Sequence, residues 1–117
     1  MEASADVLVV DDDPTVSEVV AAYLRRSGHQ VRLAADGPTA VAAAALKRPD
    51  LIVLDLMLPE IDGWQVRRAM QDDPRLADIP VVVVSALDAS RCPDAAGHIQ
   101  KPFQPQQLLE AIRRQTA

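Results

Sequence analysis

The chain has 117 residues, of which 49% are hydrophobic and 3% aromatic, and its formal net charge at pH 7 is -5. This length fits one domain with an aliphatic core, so we expect residues 1–117 to form a single domain. The acidic balance argues against a nucleic-acid surface, and the single cysteine excludes an internal disulfide. No apolar stretch approaches the roughly 20 residues that span a bilayer, and no basic-then-apolar leader opens the chain. We therefore expect a soluble, cytoplasmic domain that does not contact membranes.

The first two predicted elements are a strand and a helix joined by three acids. Residues 7–10 are apolar and lead directly into Asp11–Asp13. Pro14 suits the first turn of a helix, with the last of the three acids as its N-cap, and Gly28 is placed to end that helix. Apolar residues at helical spacing predict its inward face: Val16, Val19, Val20, Tyr23 and Leu24.

The next elements continue the alternation of strand and helix. Residues 30–34 alternate weakly and predict a strand, and the alanine-rich residues 39–47 predict a helix. The inward residues of that helix are predicted to be Val41, Ala44 and Ala45. A short apolar run, residues 51–54, lies between two prolines and is typical of a strand buried on both faces.

The second half of the chain predicts two more strands and two more helices. A helix opens at Gly63 and is stopped at residues 72–74. Four β-branched residues, 81–84, form the fourth strand, and residues 98–100 form a short fifth strand. The last helix starts at Pro105 and turns Leu108, Leu109 and Ile112 inward. This alternation predicts a parallel sheet with helices on both faces.

Polar residues follow the predicted strands at the point where each one ends. Asp11–Asp13 follow strand one, Asp55 follows strand three, Ser85 follows strand four and Lys101 follows strand five. In open parallel sheets, ligands bind just beyond the carboxyl ends of the strands. The sequence therefore predicts that these side chains converge on one site.

The chemistry of this set favours a metal-assisted phosphoryl acceptor. An ionised carboxylate such as Asp55 is costly to bury beside leucines unless a site holds its charge. Several carboxylates without histidine or cysteine select Mg²⁺, which also binds phosphate oxygens. A carboxylate can act as a nucleophile and form an aspartyl-phosphate. Mg²⁺, the Lys101 ammonium and the Ser85 hydroxyl would neutralise and bind the phosphoryl oxygens.

Four motifs follow one another at suitable spacing. They are residues 9–12, residues 49–55 with Pro59 and Gly63 downstream, Ser85-Ala86, and Lys101-Pro102-Phe103. Together they resemble the response-regulator receiver domain, a phosphoacceptor module of two-component signalling, over nearly the whole chain. The resemblance implies a flavodoxin-like α/β fold, a doubly wound five-stranded parallel sheet of order 2-1-3-4-5.

The resemblance also implies site roles. Asp55 would be the phosphoacceptor and would bind Mg²⁺ together with Asp12 and the backbone carbonyl of Met57. Asp11 would contribute through water. The phosphate would be held by Ser85 and Lys101.

The resemblance further implies partners. The phosphoryl donor would be a histidine kinase or a histidine phosphotransfer protein. The domain's own chemistry would be self-phosphorylation and slow autodephosphorylation, so it would not be an enzyme in the metabolic sense. The downstream effector is not indicated, and the last helix could support a homodimer.

Two features of the sequence leave alternatives open. The resemblance implies a full helix between Ser85 and the last strand, but residues 87–97 are several residues short of it and contain Pro93, so we expect a shortened or irregular fourth helix. This favours, to a small extent, a receiver-like binding module that signals without phosphorylation. In addition, residues 11–16 match the Asp-x-Asp-x-Thr-Val motif of haloacid-dehalogenase-type phosphatases, in which Asp11 would be the nucleophile. The short chain and the lack of an acidic pair after Lys101 argue against that enzyme.

Overall fold

The structure, a computed structural model, describes residues 4–55, 68–85, 96–100 and 104–116. The strands and helices that it describes from end to end are, in chain order, β1 (Asp6–Val10), α1 (Pro14–Arg26), β2 (Gln30–Ala34), α2 (Gly37–Leu46), β3 (Leu51–Leu54), β4 (Val81–Ser85), β5 (Gly97–Gln100) and α3 (Pro105–Thr116). The strands form one sheet in the order β2-β1-β3-β4-β5, and every neighbouring pair is parallel. The predicted flavodoxin-like topology is therefore confirmed.

Helices cover both faces of the sheet, because successive strand residues alternate between two cores. One core packs Leu8 and Ile52 against Ala40 and Ala44 of α2. The other core contains the alternate strand residues and the inward side chains of α1 and α3, including Val9, Val53, Val20, Leu24, Leu108 and Ile112. All four residues of β3 are buried, as predicted for a strand covered on both sides.

Local hydrogen bonds set both ends of α1. At its start, Asp13 has extended backbone geometry, and its carboxylate accepts the N–H groups of Thr15 and Val16. At its end, Gly28 adopts a φ of +94°, which glycine tolerates better than other residues. The N–H of Gly28 donates to the carbonyl of Arg25 at 3.0 Å and closes the last turn. The predicted N-cap and terminating glycine are both confirmed.

The inward face of α1 differs from the prediction. The buried residues are Ser17, Val20, Ala21 and Leu24, spaced i, i+3, i+4 and i+7. Val19 was predicted to face inward, but 60% of its surface is exposed. At 100° per residue, Val19 lies about 150° around the helix from the centre of the buried stripe. The stripe follows helical period rather than residue type, so it includes a serine and excludes a valine.

The helix α2 begins with a carboxylate cap and buries only small residues. Asp36 accepts the N–H of Thr39 at 2.8 Å and is the N-cap. The buried residues include Ala40 and Ala44, whereas Ala45, which was predicted to face inward, is exposed. The reason is again periodicity, because Ala44 and Ala45 are about 100° apart on the helix.

The C-terminal end of α2 is held by Arg32 of β2. Its guanidinium donates to the carbonyl oxygens of Ala43 at 3.0 Å and Lys47 at 2.7 Å. It also donates to Oδ1 of Asp6 at 3.2 Å, and Nζ of Lys47 lies 3.3 Å from Oδ2 of the same carboxylate. The last carbonyls of a helix have no further turn to bond to. The carbonyl of Ala43 accepts the capping N–H of Lys47, and Arg32 adds bonds to this end of α2 and ties it to β1 through Asp6.

Some predictions concern residues outside the described ranges. The helix predicted to open at Gly63 is described only at residues 68–71, which are helical, and it stops at Asp72 as predicted. The prediction of a shortened or irregular fourth helix between β4 and β5 concerns residues outside the described ranges. In the described part of the chain, no helix combines the length and apolar character needed to cross a membrane.

Candidate metal and phosphoacceptor site

The carboxyl ends of β1 and β3 bring three carboxylates together. Asp11 and Asp12 follow β1, and Asp55 follows β3. One carboxylate oxygen from each residue lies within 4.8 Å of the other two, and we call these three residues the acid cluster. Asp11 and Asp55 are buried, with 7% and 6% of their surface exposed, whereas Asp12 is exposed. The cluster therefore has a buried floor and one carboxylate that faces solvent.

The register of the sheet produces this arrangement. Val10 pairs with Leu54, so Asp11 and Asp55 leave neighbouring strands at the same level. The N–H of Asp55 donates to the carbonyl of Val10 at 3.0 Å, and the N–H of Asp11 donates to the carbonyl of Ala34 at 3.1 Å. Both acids thus start from backbone that the sheet still holds. A slip of one residue would turn these side chains to the other face.

The turn between β1 and α1 is a hydrogen-bonded unit. Oδ1 of Asp11 accepts the N–H of Asp13 at 2.9 Å. Asp13 in turn caps α1, and its carbonyl accepts the N–H of Ser17 at 3.0 Å. The hydroxyl of Ser17 donates back to the carbonyl oxygen of Asp11 at 3.3 Å. These hydrogen bonds therefore join the first turn of α1 to both Asp11 and Asp13.

The acid cluster fits a small divalent cation. Three carboxylates this close repel one another, and a bound cation would offset that repulsion. The three candidate donor atoms are carboxylate oxygens, the type that Mg²⁺ and Ca²⁺ prefer. The three candidate oxygens lie within 4.8 Å of one another, so water could complete the coordination of a cation bound between them.

The structure describes the other predicted site residues only in part. Ser85 is the last residue of β4, which pairs with β3, so its backbone lies at the same edge of the sheet as Asp55. Lys101 directly follows β5 in the chain but lies outside the described residues, as does Met57. The roles predicted for Ser85, Lys101 and the Met57 carbonyl stay predictions.

Ser17 is a residue near the site that the sequence patterns did not predict. This serine is buried, with 4% of its surface exposed, and it contacts the backbone of the acid cluster. The signal that could have found it is periodicity, because Ser17 stands three and seven residues before Val20 and Leu24 on the inward stripe. A polar residue at such a position indicates a buried hydrogen bond.

Comparison with known proteins agrees with this geometry. Residues 7–113 match the family model described as the response regulator receiver domain. The chain is 39% identical over 113 residues to the DNA-binding dual master transcriptional regulator RpaA of Synechocystis, covering 92% of the chain and 47% of that protein. It is 32% identical over 114 residues to the protein PilH of Pseudomonas aeruginosa, covering 92% of the chain and 94% of PilH.

A solved structure shows the same fold. The chemotaxis response regulator CheY4 of Vibrio cholerae matches with a TM-score of 0.88 and 28% identity, covering 97% of this chain and 99% of that one. The chain thus spans about half of one relative and nearly all of another. The phosphatase alternative, with Asp11 as nucleophile, belongs to a different family and gains no support from these matches. The chain belongs to the response regulator receiver domain family.

Proposed function

We propose that this domain accepts a phosphoryl group on Asp55 in a Mg²⁺-dependent reaction and changes conformation to signal. The observation that carries the proposal is the acid cluster, in which a buried carboxylate at the end of the central strand lies beside two further carboxylates. A solvated surface acid would not need such neighbours. A buried acid that reacts with a phosphorylated donor needs a cation between itself and the incoming negative charge.

The transfer forms one bond and breaks one. A carboxylate oxygen of Asp55 attacks the phosphorus of a phosphohistidine, and a new O–P bond forms. The P–N bond breaks, and its electron pair stays on the imidazole nitrogen, which takes a proton from water. In slow autodephosphorylation, a water oxygen attacks the same phosphorus, the O–P bond to Asp55 breaks and the free carboxylate returns. The donor is a histidine kinase or a histidine phosphotransfer protein.

The residues around Asp55 divide the remaining tasks. Asp12 and the backbone carbonyl of Met57 would hold the cation together with Asp55, and Asp11 would act through a bound water. When bound, Mg²⁺ would neutralise charge on the phosphoryl oxygens. Lys101 would pair with a phosphoryl oxygen, and Ser85 would donate a hydrogen bond to another. The backbone positions of β3 and β4 support this assignment, because both strands end at the cluster's edge of the sheet.

The output follows from the new charge. A phosphoryl group on Asp55 would attract Ser85 and Lys101 and shift the equilibrium of the region between them. The relative RpaA is described as a DNA-binding regulator. If the present domain works with a comparable effector, that effector would provide the DNA contact, since the acidic charge of this chain argues against nucleic-acid binding by the domain itself. We also propose that the domain acts in the cytoplasm and that α3 can support a homodimer.

Incubation with acetyl phosphate and Mg²⁺, followed by intact-mass measurement and peptide mapping, tests the proposal. We expect one phosphoryl group on the wild-type chain, located at Asp55, and none when Mg²⁺ is chelated. Asp55→Asn should abolish the label. The matched control Asp78→Asn, an exposed acid outside the cluster, should keep it.

Three outcomes would contradict the proposal. Label that persists in Asp55→Asn and maps to Asp11 would support the phosphatase-type nucleophile. A wild-type chain that takes no label from any phospho-donor would support a receiver-like module that signals without phosphorylation. Equal labelling with and without Mg²⁺ would exclude the cation from the reaction.

A further inference from the structure

The hydroxyl of Ser17 makes an unusual contact for a helical serine. Serines within helices usually bond the carbonyl three or four residues earlier on the same helix. Here the carbonyl four residues earlier, that of Asp13, accepts the backbone N–H of Ser17. The hydroxyl instead reaches six residues back, beyond the helix, to the carbonyl oxygen of Asp11 at 3.3 Å. The side chain thus connects α1 to the turn that carries two members of the acid cluster.

Burial makes this hydroxyl informative. Ser17 is 4% exposed and lies on the stripe that packs α1 against the sheet. An alanine there would be a better helix former and would bury no polar atom. A buried hydroxyl costs free energy unless it is hydrogen-bonded. The bond to Asp11 satisfies this hydroxyl, so Ser17 makes a contact that an alanine at this position could not make.

The contact acts on the peptide unit between two cluster residues. The carbonyl of Asp11 belongs to the peptide bond that joins Asp11 to Asp12, and peptide bonds are planar. Fixing that carbonyl therefore fixes the plane from which the backbone of Asp12 continues. Oδ1 of Asp11 is held independently by the N–H of Asp13 at 2.9 Å. Ser17 thus restrains the link between the two acids, and Asp13 restrains one carboxylate.

We propose that Ser17 is a positioning residue that orients the Asp11–Asp12 peptide and thereby sets the Mg²⁺ affinity of the acid cluster. This inference rests on the metal site of the proposed function. Groups that orient the ligands of a metal are worth about 10- to 100-fold in affinity or activity when removed. Because Ser17 acts through one backbone carbonyl and not on a ligand atom, we expect the lower end of that range.

The test is a Mg²⁺ titration of the metal-free domain, monitored by amide chemical shifts in NMR spectra. Each variant is measured at a temperature at which it is fully folded. Ser17→Ala removes the hydroxyl, and Ser17→Thr keeps one. The matched control is Ser27→Ala, because the Ser27 hydroxyl donates to the carbonyl of Tyr23 at 3.2 Å at the far end of the same helix. Unfolding each variant in the absence of metal measures its stability separately from its Mg²⁺ affinity.

We expect Ser17→Ala to weaken Mg²⁺ binding by about tenfold. We expect Ser27→Ala to bind as the wild type does and Ser17→Thr to restore most of the lost affinity. Equal affinity of Ser17→Ala and a binding-competent wild type would overturn this inference and leave the proposed function intact. So would a loss of stability without a change in affinity, since it would reduce Ser17 to a packing residue. A wild-type domain that binds no Mg²⁺ would overturn both.

Discussion

Replacing Asp12 by asparagine should make the metal-free domain more stable. One carboxylate oxygen of Asp12 lies within 4.8 Å of a carboxylate oxygen of Asp11 and of one of Asp55. Two unit charges at that separation repel by about 0.9 kcal/mol in a dielectric like water, the appropriate limit because Asp12 is exposed. Removing both repulsions raises the free energy of unfolding by about 2 kcal/mol. Physiological salt, with a Debye length of about 8 Å, screens close to half of this repulsion, so the full gain should be measured in low-salt buffer.

Mg²⁺ should reduce or reverse the stabilisation that Asp12→Asn produces in the metal-free domain. A ligand that binds the folded state alone stabilises it in proportion to the logarithm of its concentration over its dissociation constant. Asp12→Asn removes one proposed ligand, so the wild type should gain more from Mg²⁺ than the variant does. Urea unfolding followed by circular dichroism, with EDTA and then with excess Mg²⁺, measures both differences.

The control for net charge is Asp78→Asn. It makes the same change in charge at an exposed carboxylate outside the cluster, so we expect its unfolding free energy to stay within about 0.5 kcal/mol of the wild type. Equal stabilisation by both variants would assign the effect to the overall charge of -5. An Asp12→Asn variant that is no more stable than the wild type in EDTA would refute the repulsion argument.

Two further predictions concern the ends of α2. Arg32→Ala removes the bonds to Ala43, Lys47 and Asp6, and we expect it to lower the free energy of unfolding by about 2 kcal/mol, as for hydrogen bonds to charged groups. It should also speed amide hydrogen exchange at the end of α2, whereas protection equal to the wild type would contradict the assigned tie. Hydrogen bonds from the side chain and then the backbone of Thr39 hold the pKa of Asp36 below its usual range. Because the folded state has the lower pKa, this stabilisation is complete above the unfolded pKa of about 4 and is lost as the pH falls through the folded value. The stability difference between the wild type and Asp36→Asn should therefore shrink from about pH 7 to about pH 3 in urea titrations, and a constant difference would contradict it.

Local sequence patterns were enough to predict the elements and several of their boundaries. A cap depends on one side chain and the next few N–H groups, so Asp13 could be assigned from its neighbours alone. The glycine at φ +94° could likewise be assigned from its place after the helical pattern. The order of the strands followed from the alternation of strand and helix together with the family resemblance.

The approach of the acids to one another was predicted from the rule that ligands bind at the carboxyl ends of parallel strands. Their spacing was not, because it depends on the register that pairs Val10 with Leu54. The inward faces of the helices were predicted only in part. Residue type suggested Val19, whereas packing against the sheet selects the stripe that contains Ser17 and exposes that valine.

The sequence by itself thus determined the alternating elements, the capped helix after β1 and the set of acids that could act together. Only the tertiary structure decided how closely Asp11, Asp12 and Asp55 approach, and that a buried serine reaches the backbone between the first two. The physical reason is range. Caps and periodicity act within a few residues, whereas register and helix rotation are set by how distant segments fill a common core.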